Sequence, residues 1–462
     1  MKRTALAPTL AVTLLVGLSA GLSARAAPPG DTVVVRAGKY HERVLTRIAG
    51  FAPGRDPDST SSRITEHPRM RDITLRVDRR RRGLGAFADT WGDSLVFHKN
   101  RDGHPDVLLT FHTDPWEIWL GNRRGRFTFD RSLPRTDRHN CATADFAGPG
   151  RTRPDGRADL YCVRGASQGT LSDKKNELLI QRAGGGFKNV VTRWGATDPS
   201  GRGRTVSILD VRGNARPSLF VGNAKPALHP SEDHIFVNRG RRFAEARTGG
   251  LPSAQDTSCS ATGDFDRDGR QDFLSCSHPL RLYQNHTTPT EPVTYREVAE
   301  GQGLPDRPWK DAGLIDLNDD NWLDLVLVSG DALDVRLNTQ EAPHFSQIDF
   351  SFPLSAGVSF CSGRANRDAA PDLLVVQKLA SNSDRLQKRD WMLINSGTGN
   401  EFSALPVPQP PLKNRRNGNG DTCSAIPNYK GERAAWTISN GRMTAVPVER
   451  RPGYRQLVIL AR

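Results

Sequence analysis

Residues 264–274 read DFDRDGRQDFL, and the interpretation of the whole chain starts from this stretch. Acidic residues stand at its positions 1, 3, 5 and 9, a glycine stands at position 6, and an apolar run follows. A tight polar turn ahead of an apolar, strand-like run indicates a loop that leads into a β-strand. The same pattern returns at 98–109 (HKNRDGHPDVLL), 316–328 (DLNDDNWLDLVLV) and 364–376 (RANRDAAPDLLVV).

Weaker copies extend this repeat along the chain. They lie at 145–159, 210–221 and 426–436, and each unit carries two further strand patterns downstream, joined by a turn. Seven units of roughly 50 residues with four antiparallel strands each predict an all-β, seven-bladed β-propeller of four-stranded antiparallel blades. An open β-solenoid is the rival architecture, but its repeats are much shorter.

Over residues 85–462 the repeat resembles the FG-GAP/VCBS repeat family, which forms the blades of integrin α-subunit propellers, of some lectins and of many secreted bacterial proteins. The resemblance implies that the acidic loop between the first two strands of a blade binds calcium. It also implies that these loops lie on the face opposite the usual ligand-binding face. Several units depart from the acidic pattern, so we expect calcium in only some of them.

Calcium takes about six to eight oxygen ligands, and alternating acids in a tight loop supply them. The alternative for every loop is a solvated turn in which aspartate acts as a cap. In the unit at 98–106 His98 occupies the first position, and in the unit at 364–372 the guanidinium of Arg364 is an alternative counter-charge. The predicted ligands are the side chains of Asp264, Asp266, Asp268 and Asp272 with the carbonyl of Arg270, those of Asp316, Asn318, Asp320 and Asp324 with the carbonyl of Trp322, and those of Asn100, Asp102 and Asp106.

The six cysteines are even in number and all lie beyond residue 26. In an exported protein such cysteines form disulfides. Two pairs flank an acidic loop, and the third pair stands three residues ahead of the last two loops, on inner strands that we expect to be neighbours. The predicted disulfides are Cys141–Cys162, Cys259–Cys276 and Cys361–Cys423.

The N-terminus predicts export. Lys2 and Arg3 precede an apolar stretch at 10–22, and residues 24–26 read ARA, which together are typical of a cleaved signal peptide over 1–26. No later apolar run approaches the length of a membrane span. Residues 27–84 form an N-terminal segment, partly irregular, in which 73–77 competes with 454–460 to supply a ring-closing strand. Four consecutive arginines at 79–82 suit anionic glycans, with a solvated linker as the equal alternative, and export argues against nucleic acid as a partner.

By fold analogy, ligands of propellers bind where loops lead into the innermost strands. Two tryptophans and several charged groups in those loops suit a sugar. Packing of the two tryptophans between blades is an equally good explanation for their presence. The chain is therefore predicted to be a secreted or periplasmic calcium-binding propeller that recognises a glycan or surface protein. A calcium-dependent lyase acting on an acidic polysaccharide is the alternative. The candidate ligand-binding residues are Trp91, Asp93, Arg138, His139, Asp256, Trp309, Lys310 and Asp311.

Overall fold

The structure is a computed structural model of the 462-residue chain. It describes residues 33–38, 41–46, 73–77, 94–406 and 422–461, apart from internal gaps at 111–114, 125, 147–153, 166–174, 200, 225–231, 247–250, 252–255, 291, 305, 366–369, 378–389, 428–433, 440–442 and 452–453. The predicted signal peptide lies outside the described residues.

Six four-stranded antiparallel sheets follow one another along the chain, and we number them as blades one to six. Blades one to three contain β4 (Leu95–Phe97), β5 (Asp106–Leu109), β6 (Glu117–Gly121), β7 (Phe127–Ser132); β8 (Arg138–Ala144), β9 (Asp159–Arg164), β10 (Glu177–Gln181), β11 (Phe187–Asn189); and β12 (Gly203–Leu209), β13 (Ser218–Asn223), β14 (His234–Asn238), β15 (Phe243–Glu245). Blades four to six contain β16 (Ser260–Gly263), β17 (Asp272–Ser275), β18 (Arg281–Asn285), β19 (Tyr295–Glu297); β20 (Asp311–Ile315), β21 (Asp324–Val328), β22 (Ala332–Arg336), β23 (Phe350–Pro353); and β24 (Gly357–Gly363), β25 (Asp372–Gln377), β26 (Trp391–Asn395), β27 (Phe402–Pro406).

The last sheet departs from this form. It has five strands in the order β28 (Thr422–Pro427), β29 (Ala434–Ser439), β30 (Met443–Arg451), β31 (Tyr454–Ala461) and β3 (Ile73–Val77). Strands β31 and β3 pair in parallel. The two segments predicted as alternatives for closing the ring therefore both belong to this sheet. The prediction of seven four-stranded antiparallel blades is therefore wrong in number, because six sheets have that form. An N-terminal hairpin, β1 (Val33–Gly38) with β2 (His41–Thr46), forms a separate two-stranded sheet.

The first strands of successive sheets contact one another around a ring. Strand β28 contacts both β24 and β4, which places the five-stranded sheet between blade six and blade one. A short helix α1 (Val191–Trp194) and a 3₁₀ turn (Glu300–Gln302) lie between strands. Within the described part of the chain, no helix has the length and apolar character needed to cross a bilayer.

The hydrophobic core lies between blades rather than within one of them. Five clusters of buried side chains each combine residues of two consecutive blades, from blades one and two to blades five and six. Phe220 and Phe273 pack at 4.6 Å between blades three and four, and Phe350 and Phe402 at 4.7 Å between blades five and six. Burial of apolar surface drives folding, so the sheets stabilise one another as neighbours.

All three predicted disulfides are present in the structure. Two join the first and second strands of blade two and of blade four, and the third joins β24 to β28 across neighbouring sheets. The described residues contain no free cysteine. The bonded pairs and their Cα–Cα distances are Cys141–Cys162 (4.1 Å), Cys259–Cys276 (4.9 Å) and Cys361–Cys423 (5.8 Å).

A second connection between blades is polar. A buried aspartate or serine begins the second strand of each blade and accepts the amide N–H of a residue at the end of the third strand. An Asn or Gln at the end of the third strand then donates its side-chain amide to the preceding blade, at the carbonyl of the second residue of the acidic loop. We call this bond the inter-blade latch. The five latches are Gln181 to Lys99, Asn238 to Phe146, Asn285 to Val211, Asn338 to Phe265 and Asn395 to Leu317.

The latch at Asn338 is the best test of this connection. Its side-chain amide donates to the carbonyls of Phe265 (2.7 Å) and Leu323 (3.1 Å), and Phe265 is fully buried. Asn338→Ala should lower the free energy of unfolding by about 1–3 kcal/mol, because buried carbonyls then lose their donor. Urea unfolding measures this. The exposed Asn122→Ala is the control, and an equal loss in both variants would contradict a special role for the latch.

Candidate metal sites and ligand face

The acidic loops share one backbone conformation. In four of them, positions 4 and 6 both have a positive φ, a conformation that favours glycine. Sequence reasoning expects this only at position 6, because the residues at position 4 are mostly not glycine. Position 4 is Arg101, Gly213, Arg267 or Asp319, and position 6 is Gly103, Ala215, Gly269 or Asn321, with φ between 54° and 84°.

The Asp264 loop (residues 264–272) gathers three carboxylates. Oxygen atoms of Asp264, Asp266 and Asp268 all lie within 4.8 Å of one another. Asp264 accepts the amide N–H of Asp268 (3.1 Å) and of Gly269 (2.9 Å), so the loop is closed around the acids. Burial, and then the negative charges of Asp266 and Asp268, raise the pKa of Asp264. Hard carboxylate oxygens at this spacing are a donor set suited to calcium.

The ninth residue of this loop has a different environment. Asp272 is fully buried, and its two carboxylate oxygens accept the amide N–H groups of Phe265 (3.1 Å) and Asn285 (2.8 Å). Burial is the main cause that raises the pKa of Asp272 to about 8, and the charges of Asp266 and Asp268 add to it. In the structure Asp272 thus connects the loop to the third strand, apart from the three clustered acids.

An arginine lies beside the cluster. The guanidinium of Arg270 pairs with the carboxylate of Asp268 and donates to the carbonyl of Asn285 (2.6 Å). In blade two, Arg157 pairs with Asp155 at the equivalent positions. The seventh residue of these loops therefore supplies positive charge to the fifth, which partly offsets the repulsion among the acids.

The Asp316 loop (residues 316–324) repeats the geometry with two acids rather than three at positions 1, 3 and 5. Asp316 accepts the amide N–H of Asp320 (3.2 Å) and of Asn321 (2.9 Å). Asn318 donates its side-chain amide to Asp320 (3.1 Å), which also accepts the amide N–H of Trp322 (2.8 Å). Because the seventh residue is tryptophan, this loop has no arginine of its own beside the acids.

Asp324 and Asp159 behave like Asp272. Asp324 is buried and accepts the amide N–H groups of Leu317 (2.8 Å) and Asn338 (2.9 Å). Burial raises the pKa of Asp324 to about 7 and that of Asp159 to about 7. The ninth loop position is therefore a structural carboxylate in several blades.

The His98 loop (residues 98–106) differs at its first position. The Nδ1 atom of His98 lies 3.0 Å from the carbonyl oxygen of His104, the seventh residue. An imidazole N–H here engages the carbonyl that calcium would need, and neutral imidazole is a poor calcium ligand. Asn100 donates to Asp102 (3.0 Å), and Asp106 is buried like its equivalents.

In blade six, residues 366–369 lie outside the described part of the chain, so the predicted pairing of Arg364 is not observed.

Several predicted ligand residues of the opposite face are buried. Arg138 is fully buried, pairs with Glu177 (2.5 Å) and lies over the ring of Trp116 at 5.9 Å. His139 is 5% exposed, and its Nε2 atom lies 3.1 Å from Asp137. These two side chains thus stabilise the start of β8 in the structure.

The tryptophan on this face is buried as well. Trp309 is 2% exposed, and the guanidinium of Arg307 covers its ring at 4.2 Å. Asp311 is half-buried and accepts the hydroxyl of Ser359 (2.8 Å) and the amide N–H of Phe360 (3.0 Å), both in the next blade.

Of the other predicted ligand residues, Asp256 and Lys310 are exposed. Trp91 and Asp93 lie outside the described residues. Asp256 and Lys310 therefore remain predicted ligand residues of this face, whereas the buried Arg138, His139 and Trp309 and the half-buried Asp311 contact other groups of the protein.

One histidine of blade three is enclosed by acidic side chains. His234 lies between two carboxylates, with Nδ1 2.7 Å from Glu245 and Nε2 3.4 Å from Asp198. Burial opposes its charged form, but the hydrogen bonds and charges of Asp198 and Glu245 raise the pKa of His234 to about 9. Both ring nitrogens are engaged, so His234 is a structural cation at neutral pH rather than a free base.

Comparisons with known proteins identify no family for this chain. No protein-family model matches it, and no curated protein matches it. Solved structures that match include BBS1N in complex with ARL6DN, at 9% identity and a TM-score of 0.47, covering 79% of this chain and 93% of that chain. Another is the V. cholerae biofilm matrix protein Bap1, at 12% identity and a TM-score of 0.34, covering 64% of this chain and 44% of that chain. The fold described above rests on strand order and register.

The raised pKa values predict how stability depends on pH in the presence of a chelator. The carboxyl groups of Asp272, Asp324 and Asp159 hold protons in the folded protein at pH values where the unfolded chain has released them. The free energy of unfolding should therefore fall as pH rises from about 4 to about 8. Urea unfolding across this range measures it.

Two variants test whether the buried carboxyl groups cause this fall in the free energy of unfolding. Asp272→Asn removes one of the buried titrating groups and should flatten the fall, whereas the exposed Asp256→Asn should leave it unchanged. A free energy of unfolding that stays constant or rises over this range would contradict the assignment.

Proposed function

We propose that this protein is an exported β-propeller of the FG-GAP/VCBS repeat type that binds calcium in its acidic loops and recognises an extracellular ligand. The ligand is a carbohydrate or another surface molecule, and the recognition is non-catalytic. The observation that carries the proposal is the group of three carboxylates at Asp264, Asp266 and Asp268, whose oxygens lie within 4.8 Å of one another in a closed loop. Arg270 offsets the repulsion within this group only in part, so a bound cation would stabilise it.

The residues that would hold calcium follow from this geometry. In the Asp264 loop they are Asp264, Asp266 and Asp268 with the carbonyl of Arg270, and in the Asp316 loop they are Asp316, Asn318 and Asp320 with the carbonyl of Trp322. Asp272 and Asp324, which the sequence predicts as ligands, would support the loop rather than contact the ion directly, because their oxygens already accept amide hydrogen bonds. In the His98 loop the bond from His98 to the carbonyl of His104 disfavours a bound ion, because calcium would need that carbonyl as a ligand. Bound calcium would tie the first two strands of a blade together.

Export has its own support. The protein contains three disulfides, which are bonds that persist in oxidising compartments, and the signal peptide over residues 1–26 is part of this proposal.

Recognition is favoured over lyase activity because a lyase needs a proton acceptor that faces its substrate. His139 is buried beside Asp137, and His234 is held as a cation between two acids, so neither is such an acceptor.

A glycan array, run in calcium and again in chelator, tests the proposal. The protein should be retained by a defined class of carbohydrate in calcium, and retention should fall in chelator as the loops lose their ions. Incubation with acidic polysaccharides should release no unsaturated, ultraviolet-absorbing products. Retention by no glycan and by no surface protein, or release of such products, would contradict non-catalytic recognition.

A further inference from the structure

In blade three, the loop that corresponds to the acidic loops of the other blades carries basic side chains. Asp210 accepts the amide N–H groups of Asn214 (3.0 Å) and Ala215 (2.9 Å), as the first aspartate does in the other loops. The backbone conformation is thus retained, but positions 3 and 7 are Arg212 and Arg216. A loop that gathers carboxylates in blades four and five therefore presents guanidinium groups here.

These arginines line a cavity of about 590 Å³. It lies between the Asp210 loop, the turn that follows β14, and Pro289, Thr290 and Pro292 of blade four. Arg239, the residue after the latch residue Asn238, adds a third guanidinium to the lining. Among the described residues that line it there is neither aspartate nor glutamate.

The three cations are held differently. Arg212 is fixed across the blade boundary, since it donates to the carbonyls of Thr288 (2.6 Å) and Pro289 (3.0 Å). Arg216 and Arg239 are exposed, and neither forms an ion pair with a carboxylate among the described residues. The cavity therefore combines one anchored cation with two that point to a shared space without an acidic partner.

The chemistry of the lining defines the ligand. Guanidinium groups match the oxygens of carboxylate, sulfate and phosphate, and cavities of about 300–1,000 Å³ accept small molecules rather than single ions. Pro289 and Pro292 give the cavity an apolar wall, while Thr290 and Asn214 offer a hydroxyl and an amide. An apolar wall with hydroxyl-binding groups and paired cations suits a sugar that carries an anionic group.

We infer that this cavity between blades three and four binds an acidic saccharide unit, bearing a carboxylate or a sulfate. This inference deepens the proposed function, on which it rests, because it names the ligand class and the site. It places recognition on the side of the acidic loops rather than at the loops that lead into the innermost strands.

Titration calorimetry on the full chain tests the inference. The probes are trigalacturonate, a chondroitin sulfate tetrasaccharide, neutral maltotriose and inorganic phosphate. The wild type should bind an acidic saccharide and not maltotriose, with weaker binding at higher salt. The double variant Arg216→Gln with Arg239→Gln should bind it about tenfold or more weakly, because hydrogen bonds to charged groups are lost.

Arg126→Gln, an exposed arginine in blade one, is the matched control and should bind like the wild type. Thermal melting of all variants checks that they fold. Unchanged saccharide binding by a folded double variant would overturn the site and leave the proposed function standing. Equal affinity for maltotriose or for inorganic phosphate, or no binding of either acidic saccharide by the wild type, would overturn the ligand class, while the glycan array decides the proposed function separately.

Discussion

The ring depends on a buried carboxylate at the start of the second strand of most blades. One of its oxygens accepts an amide from the blade's own loop and the other an amide from its third strand, as at Asp272 and Asp324. The loop carbonyl that is fixed in this way receives the latch from the next blade. Burial of a charge costs free energy even when the group is hydrogen-bonded. The two amide bonds offset part of that cost, and the remainder is expressed in the raised pKa of Asp272 and Asp324. Loop geometry, blade pairing and the apolar clusters between blades are therefore one connected system.

The same loop conformation serves different chemistry in different blades. Two left-handed residues and an aspartate at the first position suffice to form it, because the Asp210 loop adopts it without the acidic cluster. Side chains at positions 3, 5 and 7 are then free to vary. Positions 3 and 5 are acidic in the Asp264 loop (Asp266 and Asp268), whereas positions 3 and 7 are basic in the Asp210 loop (Arg212 and Arg216). The backbone conformation of this short segment is therefore independent of the charge of its side chains.

The sequence predicts much of this, and the failures have physical causes. The repeat period and the apolar runs predict the four-stranded blades, and the register of the cysteines around the loops predicts all three disulfides. The five-stranded last sheet is missed because Ile73–Val77 lies far from Tyr454–Ala461 in sequence, and local patterns do not show which distant edges pair. The recurring asparagine that ends the third strand is visible in the sequence, but its bond crosses to another blade, so its role appears only in the fold. Burial of Trp309 agrees with the alternative that the tryptophans pack inside the ring, whereas burial of Arg138 is missed because its partner Glu177 lies 39 residues away in sequence.

Calcium content tests the central claim most directly. The purified protein, dialysed against millimolar calcium and then examined by native mass spectrometry with elemental analysis, should retain about two calcium ions per chain, since two loops carry the full oxygen pattern. Asp268→Ala, which removes one carboxylate of the three-acid group, should retain about one. A wild-type chain that retains no divalent ion under these conditions would contradict the account.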